Sequence, residues 1–132
     1  MNRLMIAVDA IELIRDDIGA TENCFFDTKE KLKKAQELHN KKEFERLSLE
    51  LEVLNKNLGI LEDKLDNLLE EAYKYLRGLP EEIRKSEGVL AFKFIAIDFY
   101  SFEDVAEYMK LPMEDVLELY NNAWVILNNL RI

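Results

Sequence analysis

Phe44, Leu47, Leu51, Leu54, Leu58, Leu61, Leu65, Leu68, Ala72 and Tyr75 recur at alternating steps of three and four residues. No other feature of the chain restricts its fold as much. A mean spacing of 3.5 keeps one apolar seam turned toward a partner helix while the two wind around each other. The seam predicts a helix from about Lys41 to Arg77, stopped at Gly78 with Pro80 just beyond. At about 1.5 Å per residue that helix is roughly 55 Å long, more than a compact domain of this size is wide, so it has to lie along another helix. Residues 28–40 folded back offer one partner, and the same helix of a second chain offers another. The 28–40 segment is too short to cover the whole seam. Leu51, Leu54, Leu58, Leu61, Leu65 and Leu68 are therefore the expected contact of a homodimer. Leu49, Val53 and Ile60 add a second stripe, which favours a bundle over a two-stranded coil. Gly59, inside the helix, points to a close backbone approach there.

Upstream, Leu4, Val8, Ile11 and Ile18 share a helical face widened by Met5, Ile6, Leu13 and Ile14. Gly19 is the expected end of this helix. A loop over "ATENCFFDTKE" then carries Phe25 and Phe26 as core plugs, and Thr28 partly caps the next helix. Downstream, "VLAFKFIAIDFYSF" fits two readings. Its aromatic and β-branched residues favour a strand and its length favours a helix, and we read it as a helix. Ser101 and Asp104 make a capping box for a helix running to about Met109. Pro112 suits the first turn of the following helix, in which Val116, Tyr120, Ala123, Leu127 and Leu130 face Val105, Ala106 and Met109. The expectation is an all-α fold, with residues 1–79 as a helical bundle or coiled coil and 80–132 as a helix-turn-helix-like region.

The chain has 132 residues, 48% of them hydrophobic, which is enough for a core. Its net charge is −9, yet residues 29–46 carry Lys29, Lys31, Lys33, Lys34, Lys41, Lys42 and Arg46. Lys33, Lys34, Lys41 and Lys42 are candidate nucleic-acid contacts. Glu30, Glu37, Glu43 and Glu45 interleave with them, the pattern of a solvated helix face. Cys24 and His39 are each alone of their kind, which rules out an internal disulfide and the usual zinc sets. A reducing cytoplasm fits. Acids interrupt "MNRLMIAVDAIELIRDD", so it does not read as a signal peptide, and "VLAFKFIAI" is too short to span a membrane. With no Gly-rich phosphate loop, no metal-ligand spacing and a single His, neither an enzyme nor a cofactor is expected.

The C-terminal half carries a further pattern in "LLEEAYKYLRGLPEE" and "SFEDVAEYMKLPMEDVLELYNNAWVILNNL". From about Leu65 to Arg131 the chain resembles phage and prophage late-transcription regulators of the ArpU/RinA type, whose C-terminal domain is similar to sigma-factor region 4. Phe102, Val105 and Ala106 match the first helix of that motif, and Val116 and Ala123 match the second. The resemblance implies a non-enzymatic regulator from a phage or mobile element with a helix-turn-helix frame. The departures fall on the reading face. Lys110 stands where the turn usually has Gly, Pro112 where the second helix usually has Ser, and Glu114, Asp115, Glu118, Asn121 and Asn122 where bases or phosphates would be met. Carboxylates there repel DNA, whose phosphates supply most of the affinity of a DNA-binding protein. We therefore expect Met113, Leu117, Tyr120 and Trp124, with Glu114, Asp115 and Glu118, to dock a protein. RNA polymerase, a sigma factor or a host defence protein are the partners in view. Two other readings stand beside it. One is a DNA-binding transcriptional regulator, and the other is an acidic, anti-CRISPR-like inhibitor that mimics DNA.

Overall fold

A computed structural model describes residues 2–131. The helices are α1 (Arg3–Glu37), α2 (Lys41–Arg77), α3 (Glu81–Arg84), α4 (Glu87–Phe92), α5 (Phe102–Met109) and α6 (Met113–Asn128). A π-helical turn, Lys93–Ile97, extends α4. No strand occurs among the described residues, so the fold is all-α and the ambiguous apolar segment is helical as far as Ile97.

The bounds of α2 are those its seam calls for. The first helix differs from expectation: α1 does not stop at Gly19, and the segment expected as a loop is helical throughout. The reason lies in a second heptad run. Leu4, Ala7, Ile11, Ile14, Ile18, Thr21, Phe25, Thr28, Leu32 and Ala35 also alternate at steps of three and four, and each is buried or half-buried. Gly19 costs the helix about 1 kcal/mol relative to Ala. Burial of the seam on both sides of it offsets that. Thr21 adapts to the helix by donating its hydroxyl to the Asp17 carbonyl at 2.8 Å. Thr28 is not a cap but a buried side chain inside α1, and Phe26 is 62% exposed rather than a core plug.

Two compact units divide the chain. One is Leu13–Asp66, and the other joins the residues up to Glu12 with those from Asn67 onward. In the first unit, Leu38, His39 and Asn40 connect the helices. His39 takes the left-handed conformation at φ 54°. The Asn40 amide donates to the Ala35 carbonyl at 2.9 Å, and the Asn40 side chain caps α2 by accepting from the Glu43 amide at 3.2 Å. Leu51, Leu54, Leu58, Leu61 and Leu65 are half-buried within this one chain. They share the unit with the α1 seam from Ile14 to Ala35, a far longer cover than residues 28–40 offered. Leu49, Val53 and Ile60 stay more than half exposed, and a Cβ placed on Gly59 would meet nothing within 4 Å. The second stripe is therefore not the inside of a bundle in the single chain, and Gly59 marks no close approach.

The second unit packs the first turns of α1 and the last turns of α2 with α3 to α6. Leu4, Met5, Val8 and Ile11, with Ala72, Leu76 and Leu79, are buried, as are Val89, Phe92, Ile97, Val116, Ala123 and Leu127. Helices α4 and α6 come close because Gly88 has no side chain: a Cβ there would lie 3.2 Å from the Leu119 carbonyl oxygen. Buried Asn2 joins two helix ends. Its Oδ1 accepts from the Met5 amide at 2.9 Å, which caps α1. Its Nδ2 donates to the carbonyls of Leu127 and Leu130 at the end of α6. Replacing Asn2 with Ala strands a buried amide and two carbonyls, so Asn2→Ala is expected to lower stability by roughly 1–3 kcal/mol in denaturant unfolding. Asn2→Asp keeps the α1 cap but sets a carboxylate against two carbonyl oxygens, and is expected not to recover the loss.

Candidate functional site

Helices α5 and α6 form the candidate site. Ser101 caps α5 by accepting from the Asp104 amide at 3.0 Å, the first half of the expected capping box. The connection is short because Lys110 takes the left-handed conformation at φ 56°, ψ 44°. The Leu111 amide then returns to the Ala106 carbonyl at 3.0 Å. This is the backbone that Gly adopts freely and a residue with a Cβ adopts at a cost of roughly 1 kcal/mol. Pro112 is the residue before α6 rather than in its first turn, and supplies no side-chain cap.

The faces of α6 follow from its 3.6-residue period. Val116, Ala123 and Leu127 are buried, and Val116 packs with Ala91, Val105 and Ala106. Tyr120 and Trp124 are half-buried around the fully buried Phe92 ring. Tyr120 stacks on Phe92 with centroids 5.7 Å apart, and Trp124 meets it edge-on at 5.5 Å. Phe102 closes the group against Tyr120 at 5.3 Å. Of the expected docking residues, then, Tyr120 and Trp124 belong partly to the core. Met113 and Leu117 are 48% and 47% exposed, and Glu114, Asp115 and Glu118 are exposed beside them. From Met113 to Asn128 there is no Lys or Arg.

The candidate phosphate contacts also come together. Lys33 and Lys34 end α1, Lys41 and Lys42 begin α2, and all four are exposed around the turn that joins the helices in the Leu13–Asp66 unit. Among the described residues no group of His, Cys, Asp and Glu is placed to hold a metal ion, and no helix is long and apolar enough to cross a membrane.

Sequence reasoning missed a third cluster. Lys93 places its Nζ 3.3 Å from Asp98 Oδ2 and over the rings of Tyr73 and Phe94. The Tyr73 hydroxyl donates to the other Asp98 oxygen. Burial pushes the Tyr73 phenol up to about 12, helped by that hydrogen bond and by the Asp98 charge. Beside it, Phe94 meets Tyr100 and Tyr108 edge to face. The density of aromatics in "FKFIAIDFYSFEDVAEY" was the available signal.

No family model, curated protein or solved structure matches the chain.

Two outcomes are expected. A raised folded-state pKa means the Tyr73 contact stabilises the fold fully below pH 10 and is lost as pH climbs toward 12. Absorbance titration of the phenolate should show a tyrosine ionising near pH 12, moved downward by Asp98→Asn. Lys110→Gly relieves the left-handed backbone and should raise stability by up to about 1 kcal/mol in thermal unfolding.

Proposed function

We propose that this chain is a non-enzymatic regulatory protein of a phage or mobile element that acts through protein contacts made by α6. One observation carries the reading. Met113 and Leu117 stand half exposed on a helix whose outer surface holds Glu114, Asp115 and Glu118 and no basic side chain. A protein surface with a matching apolar patch and a basic rim is complementary to that face, and a phosphate backbone is not. Tyr120 and Trp124 support the face from behind, since their rings are fixed against Phe92. The resemblance to late-transcription regulators makes bacterial RNA polymerase with its sigma factor the partner to test first.

A second reading keeps DNA binding, and the gathering of Lys33, Lys34, Lys41 and Lys42 around one turn favours it. The two readings part in direct binding measurements. The protein is expected to bind immobilised RNA polymerase holoenzyme. Replacing Met113 and Leu117 together with Ser should weaken that binding at least tenfold, about 1.4 kcal/mol, with an unchanged circular dichroism spectrum. On random duplex DNA at about 50 mM salt, where non-specific binding is strongest, little retention is expected. Tight, salt-sensitive DNA binding abolished by Ala at the four lysines would overturn the protein-docking reading in favour of the second.

A further inference from the structure

A pocket of about 310 Å³ lies between the end of the π-helical turn and α5, lined by Phe94, Tyr100, Asp104, Val105 and Tyr108. That volume is at the lower end of the range for small-ligand sites, roughly 300–1,000 Å³. Its walls are set by the backbone. The widened π turn and Phe99, left-handed at φ 65°, let the Tyr100 amide donate to the Phe94 carbonyl at 2.8 Å. This draws the Tyr100 ring to 6.0 Å from Phe94, with the planes at 76°. Tyr108, on α5, stands 5.4 Å from Phe94 at 74°. Phe94 thus stands at a steep angle to each of two other rings that line the pocket with it, an open aromatic box, and those two are mostly open to water: Tyr100 is 54% exposed and Tyr108 75%.

We propose that this box binds an alkylated ammonium group. Ring faces carry negative potential and attract cations, most strongly where water is displaced. Walls at steep angles offer that potential to a rounded cation from several directions, whereas a planar guanidinium stacks on one face only. Asp104 adds a carboxylate to the wall that makes no ion pair among the described residues. Among the described residues no basic side chain lines the pocket. Lys93 shows that the Phe94 ring already attracts a cation, since its Nζ sits 5.4 Å from the ring centroid. Its like charge opposes a ligand cation, but Asp98 is 3.3 Å from it and Asp104 offsets the remainder. The site is separate from the α6 face and does not depend on the proposed function.

The group can be carried by a free small molecule or by a methylated lysine of a protein. The experiment follows Tyr100 and Tyr108 ring resonances by nuclear magnetic resonance during titration of the intact protein with choline, and with a short peptide bearing trimethyllysine. The control is 3,3-dimethylbutanol, the neutral isostere of choline. Saturable shifts with at least one of the two cations, and binding at least tenfold weaker for the neutral isostere, are expected. The tighter of the two cations identifies the source. Tyr108→Leu and Asp104→Asn should each weaken binding at least tenfold. Both positions are exposed, and an unchanged thermal melt shows that each variant is folded. Equal binding of the neutral isostere, binding that survives both substitutions, or no shift with either cation would overturn the proposal.

Discussion

The burial of one apolar seam along α2 governs the structure around it. A 37-residue helix with leucines on a single face gains little by standing alone in water. A leucine fully withdrawn from solvent is worth about 1.5–3 kcal/mol and each half-buried leucine of this seam a part of that, so a cover of matching period is favoured. That gain explains why α1 is helical for 35 residues despite Gly19, Thr21 and Thr28, residues that a lone helix would tolerate poorly. In α1 the propensity of single residues yields to the seam. The same requirement bears on association. With Leu51 to Leu65 half-buried in one chain, the apolar side chains of α2 left most exposed in the Leu13–Asp66 unit are Leu49, Val53 and Ile60.

Much of the fold could be read from the sequence because its rules were obeyed there. Helix α2 has a strict heptad and a proline beyond its end. Helices α5 and α6 have a serine cap, a clean core face and a proline between them. Some of the departures trace to glycine. Glycine is the usual residue for a left-handed helix end, but among the described residues the left-handed positions belong to His39, Phe99 and Lys110, and no glycine has positive φ. Gly19, Gly59 and Gly88 lie inside helices. Taking Gly19 as a stop was therefore wrong, while the true end near His39 carried no glycine to announce it. The α1 seam was hidden for a related reason. Ala7, Thr21, Thr28 and Ala35 occupy seam positions, and neither residue type stands out as apolar in a periodic pattern.

The candidate site was legible to different depths. Positions on α6 follow from its period, so the exposure of Met113 and Leu117 and the burial of Val116 and Ala123 were within reach of the sequence. The anchoring of Tyr120 and Trp124 on Phe92 was not, because it depends on how closely α4 approaches at Gly88. The Phe94, Tyr100 and Tyr108 box lay further out of reach. Residues six apart do not share a face of an α-helix. Phe94 and Tyr100 meet only because a π turn and a left-handed phenylalanine end the helix between them, and neither has a signature that periodicity detects.

The acids of α6 do not all call for the same explanation. Pro112 gives the helix no side-chain cap, and the Asp115 amide donates to the Pro112 carbonyl at 3.0 Å instead. Glu114 and Asp115 lie in the first turn and face the positive end of the helix dipole, an interaction worth about 0.3–1 kcal/mol each. Their presence follows from the fold alone. Glu118 lies beyond that turn, where the dipole effect has faded, and the absence of any Lys or Arg from Met113 to Asn128 is not a helix-end effect at all. A DNA-reading helix with an unfavourable cap still needs cations to meet phosphates. Once the helix dipole has accounted for Glu114 and Asp115, the carboxylate of Glu118 and the exposed Met113, Leu117, Val125 and Ile126 remain on a helix without Lys or Arg. That remainder is what the protein-docking reading rests on.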